Sequence, residues 1–414
     1  MALGDGKYDE SLQVAWREFC VRLEKAGERV FKDANPESSV QRSDGFRFIT
    51  QNLAQAFELA LETKDPSYPV FHPFCGPTRK LGSDSADAVY LQAWIDGNSV
   101  YRVSGTKGSA RFWNLTVQGF RPDEGALHEP FGDTPEVSMP GEELVTDAEG
   151  RFELFVGGER REPNWLPTGP QSRKIFFRQF FDRWDEEPAR CTIERVGMDA
   201  PPSPPTHETL IEAMCWAGDF VYDAVDYWPE FLWDRGALCD PAAINRFNGA
   251  AYRARLENGP DPERDEEDRK RGRLLTQMRW RLGPDEVLIL EFDSYDDFWM
   301  LSNEGIFGNS MDYRYRSVSF TPSRTAVDPD GRVRFAMAHT DPGVANWIDT
   351  SGFSDGVLNF RSVASAHLPD LRTRVVEASK LEQFLPESTV WLGPEARIER
   401  MLERFHALKR RYLL

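Results

Sequence analysis

Two stretches of this chain repeat each other, and that repeat limits the folds open to it more than any other feature. In the first, "FWNLTVQG" (112–119) is followed by "DAEGR" (147–151), "NWLPT" (164–168) and "FFR" (176–178). In the second, "FWMLSNEG" (298–305) is followed by "DPDGR" (328–332), "NWIDT" (346–350) and "NFR" (359–361). Gly150 to Asn164 is 14 residues and Gly331 to Asn346 is 15; Trp165 to Arg178 is 13 and Trp347 to Arg361 is 14. Four matches in one order at near-equal spacing imply a duplicated supersecondary unit.

The chemistry of the repeated segments is that of antiparallel strands. Asp opens the D-x-[DE]-G-R turn and Gly supplies the positive φ. Phe152, Leu154 and Val156 alternate toward one face, as do Val333, Phe335 and Met337. Trp113 and Leu115 share a face, and so do Trp299 and Leu301. The spacing therefore predicts an α+β protein: two antiparallel β halves, forming a sandwich or jelly-roll-like assembly, each preceded by helices.

The remaining segments set the order. Residues 1–66 hold two amphipathic helices. One runs over 10–31, through Leu12, Trp16, Phe19, Leu23, Ala26 and Val30. The other runs over 44–62, through Phe46, Ile49, Leu53, Phe57 and Leu61. Prolines and glycines make a loop of the stretch that follows. The first β half spans 85–198. Residues 199–282 are a Pro-rich linker, "DAPPSPPTH", then a helix through Leu210, Met214, Ala217, Val221, Val225 and Trp228, then a charge run, "PERDEEDRKRGR", read as a solvated helical face. The second β half spans 283–376, and a C-terminal helix 377–414, with basic residues in its last turns as the helix dipole favours.

Composition excludes some functions. A formal net charge of −18 over 414 residues repels phosphate backbones and anionic membranes, so neither nucleic acid nor membrane is an expected partner. No apolar run is long enough to span a bilayer, and the polar start shows no leader. Five widely spaced cysteines without a CxxC pair point to reduced thiols in a cytoplasmic protein. A homo-oligomer is left open.

The segments "SMDYRYRSVSF…DPDGRVRFAMAHTDPGVANWIDTSGFSDGVLNFR", "GFRFITQNLAQAFE", "YRVSGTKG" and "FFRQFFDRWDEEPARCTIERVG" resemble the domain of unknown function family 1214. The resemblance covers most of 44–363 and is strongest over 286–363, placing the domain toward the C-terminal side. It implies a mixed α plus β-sandwich architecture and no settled activity.

Candidate chemistry comes from comparing the copies. Residues shared by both serve the fold first. Asn164 and Asn346 can bond their own turns, and Trp165 and Trp347 can plug the gap between sheets. Arg178 and Arg361 are suited to ion pairing or to an anion. Residues present only in the second copy are His339 (opposite Gly158), Asp341 and Asp349 (opposite Pro167). An indole beside Asp349 would favour its protonated form and make it a general acid. The expected catalytic set is thus Asp349, His339 and Asp341. Trp347, Tyr313, Arg316, Arg361 and Trp299 are the expected substrate-binding residues. The histidines lack metal spacing, and "DRWDEE" (182–187) reads as an acidic turn rather than a Mg²⁺ site. P-loop, GxGxxG, HExxH and GxSxG patterns are missing, so no cofactor is expected. Aromatic content of 12% suggests core filling, an aromatic-lined cavity, or both. The function expected is cofactor-independent acid/base chemistry (hydration, isomerisation or elimination) on a small, largely apolar molecule. The alternative is a non-catalytic module binding carbohydrate or lipid.

Overall fold

The computed structural model describes residues 6–33, 35–120, 133–198, 200–229, 240–259, 262, 274–365 and 367–412. The charge run lies outside these apart from Pro262, as do Cys239 and the Trp228 side chain.

The first half has nine strands: β1 (His72–Cys75), β2 (Ala88–Trp94), β3 (Tyr101–Thr106), β4 (Phe112–Phe120), β5 (Asp133–Pro140), β6 (Arg151–Val156), β7 (Trp165–Leu166), β8 (Ser172–Phe180) and β9 (Arg190–Arg195). The second has eight: β10 (Leu274–Arg281), β11 (Glu286–Asp293), β12 (Trp299–Glu304), β13 (Ser319–Phe320), β14 (Arg332–Ala338), β15 (Trp347–Asp349), β16 (Asp355–Ser362) and β17 (Arg372–Glu377). The sheets of the first half run β1-β2-β8-β4-β5 and β7-β6-β3-β9; those of the second run β10-β16-β12-β13 and β15-β14-β11-β17. Leaving out β1, the two halves have the same strand order.

The register repeats as well. Leu115 sits opposite Phe177 and Asn114 opposite Arg178; Leu301 sits opposite Phe360 and Met300 opposite Arg361. Asn164 Nδ2 donates to the carbonyls of Val145 and Glu153, and Asn346 Nδ2 to those of Ala326 and Arg334. Each Asn Oδ1 accepts one further backbone N–H, from Val145 and Ala326 respectively. Both turns close alike, Gly150 at φ +75° and Gly331 at φ +80°. The repeated residues are hydrogen-bonding hardware for a strand–turn–strand unit.

Each half is its own sandwich. Trp113, Leu115, Leu154 and Phe177 fill one core; Trp299, Leu301, Phe335 and Phe360 fill the other. A third core joins them. Ala88, Tyr90, Phe112 and Phe180 on the back of the first half meet Phe298, Met300, Val357 and Val363 on the back of the second, together with three helices. Alternation explains this, because residues next to those facing one core must face the other side. These strands are buried on both faces, and β12 has no exposed residue.

The three helices are α1 (Gly6–Arg29), α2 (Ser39–Phe57) and α3 (His207–Pro229); α4 (Ala250–Asn258) and α5 (Pro394–Tyr412) follow. α3 packs through Ala217, Phe220, Val221, Ala224 and Val225, all buried. α2 differs from the expected stripe. Phe46 is exposed, while Gly45, Phe48, Ile49, Asn52 and Gln55 are buried. Gly45 has a steric reason to be there, since a Cβ would come 2.8 Å from both Phe307 and Val30. Trp16 is likewise exposed. Two strands lie outside the expected β spans: β1 within the proline-rich loop, and β10 ahead of residue 283. The C-terminal helix begins at Pro394, after a 3₁₀ turn over Ala378–Phe384. Among the described residues no helix is long and apolar enough to cross a membrane.

The third core is partly polar. Glu304 is fully buried; its Oε1 accepts from Ser302 and Asn359, and burial pushes its carboxyl up to about 7. The native protein therefore holds this proton over a range where the unfolded chain, ionising near 4.5, has lost it. Stability falls as pH rises from 4.5 through about 7, by about 3 kcal/mol in total. Glu304→Gln should remove that slope. Denaturant unfolding of both proteins at several pH values measures it, and parallel profiles would show that Glu304 does not carry the load.

Candidate functional site

α2 presents Val40, Ser43, Asp44 and Arg47 at the i, i+3, i+4, i+7 spacing of one helical face. That face does not complete the third core. It roofs a cavity of about 410 Å³ whose other walls are the loop after β12 and the turn after β15. Met311, Asp312, Tyr315 and Arg316 come from the loop, Ser351 and Phe353 from the turn.

Asp44 is the one wall carboxyl driven toward protonation. Burial raises it; a 2.7 Å hydrogen bond from Asn309 Nδ2 and the nearby Arg47 and Lys80 charges only partly oppose this. Asp312 goes the other way. Burial would raise it, but bonds from Arg314 (2.9 Å, both oxygens) and Arg47 (2.9 Å) outweigh that and bring it to about 2. One cavity thus holds an ionised carboxylate and a carboxyl biased toward its acid form, an arrangement that suits proton transfer.

The turn supplies a strained element. Ser351 sits at φ +58°, where a non-glycine residue is costly. Its N–H donates to Asp349 Oδ1 at 2.7 Å, and its buried hydroxyl has no hydrogen-bond partner among the described residues. Asp349 Oδ2 accepts from Arg316 Nη1 at 3.2 Å.

The structure does not bring the expected catalytic trio together. Asp349 is buried beneath the cavity wall, holding the turn and Arg316. His339 bonds Thr350 Oγ1 at 2.8 Å and the Gly283 carbonyl at 3.1 Å, beside a separate groove of about 170 Å³. Asp341 makes a two-bond clamp on Arg397 of α5 and caps the Gly343 N–H. Among the described residues no hydrogen bond or ion pair links the three.

Of the expected binding residues, Arg316 lines the cavity and Tyr313 lies just behind it, fully buried, with Lys80 Nζ 3.5 Å from its ring centre. Trp299 is a core residue stacked on Phe360. Arg361 lies in the third core, 5.9 Å from the Phe180 ring centre. Trp347 does not plug the gap between sheets. Its Nε1 donates to the Ala338 carbonyl, its ring packs on the outer cluster of Val344 and Leu381, and Arg397 lies 5.6 Å from it. Ile348 takes the inward position instead. Asp44 and Ser43 escape sequence reasoning, and the 40/43/44/47 spacing is the signal that could have found them.

A duplicated, two-sandwich α+β protein with helices at its start, middle and end is the class that this architecture defines. Residues 86–181 match the model of a family described as protein of unknown function (DUF1214), so the chain carries that domain within a longer sequence. The match falls on the first β half, not on 286–363, where the resemblance looked strongest; the duplication puts the same turn and strand motifs in both copies. Among solved structures, an uncharacterised protein from Burkholderia cenocepacia is 27% identical, with a TM-score of 0.77 over 90% of this chain and 99% of its own. The VPA0106 protein from Vibrio parahaemolyticus is 12% identical, with a TM-score of 0.42 over 86% of this chain and 100% of its own. No curated protein matches.

Because Asp349 caps a strained turn while Arg316 is more than half exposed, the pair should respond unequally to truncation. Asp349→Ala should cost roughly 1–3 kcal/mol, as expected when buried hydrogen bonds are lost. Arg316→Ala should stay within about 0.5 kcal/mol, as at an ordinary surface site. Denaturant midpoints test this, and equal losses would contradict it.

Proposed function

We propose that the protein is a cofactor-independent enzyme acting by acid/base chemistry on a small molecule seated between α2 and the second sandwich. The supporting observation is Asp44, a carboxyl biased toward protonation that faces a cavity lined by Arg47, Arg316 and Ser351. Asp44 is the proton donor and acceptor. Arg47 and Arg316 stabilise negative charge as it develops on the substrate. Val40, Met311, Tyr315 and Phe353 give the cavity an apolar flank, so the substrate has an apolar body and a polar end. Hydration, isomerisation and elimination all fit this set.

The alternative, a carbohydrate- or lipid-binding module, has exposed Trp16 and Trp391 in its favour. Neither belongs to a strand of the four sheets, so neither offers the flat stacking face that sugar binding uses. Free thiols at Cys20, Cys75, Cys191 and Cys215 support a cytoplasmic setting.

The test is conversion within a complex metabolite mixture followed by mass spectrometry. Wild type should deplete at least one small molecule and produce an isomer or a species differing by water. Asp44→Asn should lose that conversion by 100-fold or more, the scale of a lost general acid, with little change in melting temperature. No change with wild type, or equal conversion by Asp44→Asn, would defeat the proposal.

A further inference from the structure

A second cleft, of about 370 Å³, lies where the loop after β8, the segment around β13 and helix α5 meet. Its lining reverses the sign of the molecule. Arg183, Arg324, Arg397, Arg400 and Arg404 contribute five guanidinium groups, against the carboxylates of Asp185 and Glu403. In a chain of net charge −18 that local excess needs an explanation.

Three of the five have carboxylate partners. Arg183 pairs with Asp185 at 2.9 Å, Arg397 with Asp341 at 2.9 Å, and Arg324 with Asp87 at 2.6 Å. Arg404 is different. It is 6% exposed, and it donates to neutral acceptors: the Arg316 carbonyl (3.1 Å), Ser319 Oγ (3.2 Å) and the Ser319 carbonyl (2.8 Å). Among the described residues no carboxylate forms an ion pair with it. Arg400 stands exposed at the cleft with one bond, 3.3 Å to the Ala345 carbonyl, and no ion pair among the described residues. Behind them the Arg324 side chain is 10% exposed; its Nη1 has no hydrogen-bond partner among the described residues, and its guanidinium lies 3.8 Å from the Trp184 ring centre.

Uncompensated buried positive charge is costly. Burial, and then the like charge of Arg324, bring Arg404 down to about 9. Burial and the neighbouring Arg397 lower Arg400. Asp87 bears on Arg324, Arg404 and Arg411 alike, so one carboxylate is shared among three guanidinium groups. An anion in the cleft would supply the missing charge, and planar guanidinium groups suit carboxylate or phosphate oxygens.

We propose that this cleft binds the oxyanion head, carboxylate or phosphate, of a small molecule. Arg400 and Arg404 grip the head, Arg324 stands behind them, and Trp184 forms a flat wall. The site is separate from the cavity under α2 and does not depend on the reading given to it. Arg404 also ties α5 to β13, so its removal would mix folding with binding; Arg400 does not have that double role.

The experiment is calorimetric titration of the full chain with inorganic phosphate and, separately, with malonate, ionic strength being held constant with sodium chloride. Saturable binding of either anion is expected, and the anion preferred identifies the head. Arg400→Gln should weaken it at least tenfold while the melting temperature without anion stays unchanged, and Asp44→Asn should bind as wild type does. No saturable heat with either anion, undiminished affinity in Arg400→Gln, or binding lost in Asp44→Asn would each overturn the assignment.

Discussion

One small knot of hydrogen bonds carries the cavity under α2. Ser310 is held from three directions: Lys80 Nζ donates to its hydroxyl at 2.6 Å, the hydroxyl donates to Asp84 Oδ2 at 2.6 Å, and its N–H donates to Asp84 Oδ1 at 3.0 Å. All three residues are buried. Lys80 and Asp84 lie between β1 and β2 of the first sandwich, and Ser310 lies in the loop after β12 of the second. The knot fixes the loop that brings Asn309 to Asp44 on one side and Met311 and Asp312 to the cavity on the other. Burial lowers Lys80 to about 8, which Asp84 and Asp312 oppose. Buried charges of this kind do little for net stability and are better understood as specifying one arrangement.

Duplication divides the labour. Residues shared by the copies, such as the Asn164/Asn346 and Trp165/Trp347 pairs, make the same backbone contacts in each half and act as scaffold. The cavity is assembled from parts that the copies do not share. Asp349 replaces Pro167, Ser351 takes a left-handed backbone, and α2 roofs the second sandwich. A duplicated scaffold can thus diverge in one copy while the other keeps the fold.

Much of the fold was legible because strand alternation and turn chemistry are local. The inward sets Phe152/Leu154/Val156 and Val333/Phe335/Met337 both face their own sandwich cores. What alternation cannot tell is which of two faces is inner when both are covered. It put Trp347 and Asp349 on one face, and that face turned out to lie away from the sandwich interior. β10 was missed because "LLTQMRWR" follows a charge run without a turn signal. The spacing of α2 could point to Asp44 as a position, but not to its raised pKa, because what raises it is burial made by distant parts of the chain; its bond from Asn309 spans 265 residues, and the Lys80–Ser310 bond spans 230. No window of sequence contains such contacts.

The central claim is that Asp44 can hold a proton where an ordinary aspartate would not. Site-resolved ¹³C NMR of the aspartate carboxyls, with Asp44→Asn to assign the signal, measures this directly. The account predicts a midpoint clearly above the ordinary 3.8, rising further when Asn309→Ala removes the opposing hydrogen bond or Arg47→Gln removes an opposing charge. A midpoint at or below 3.8 that ignores Arg47 would contradict it.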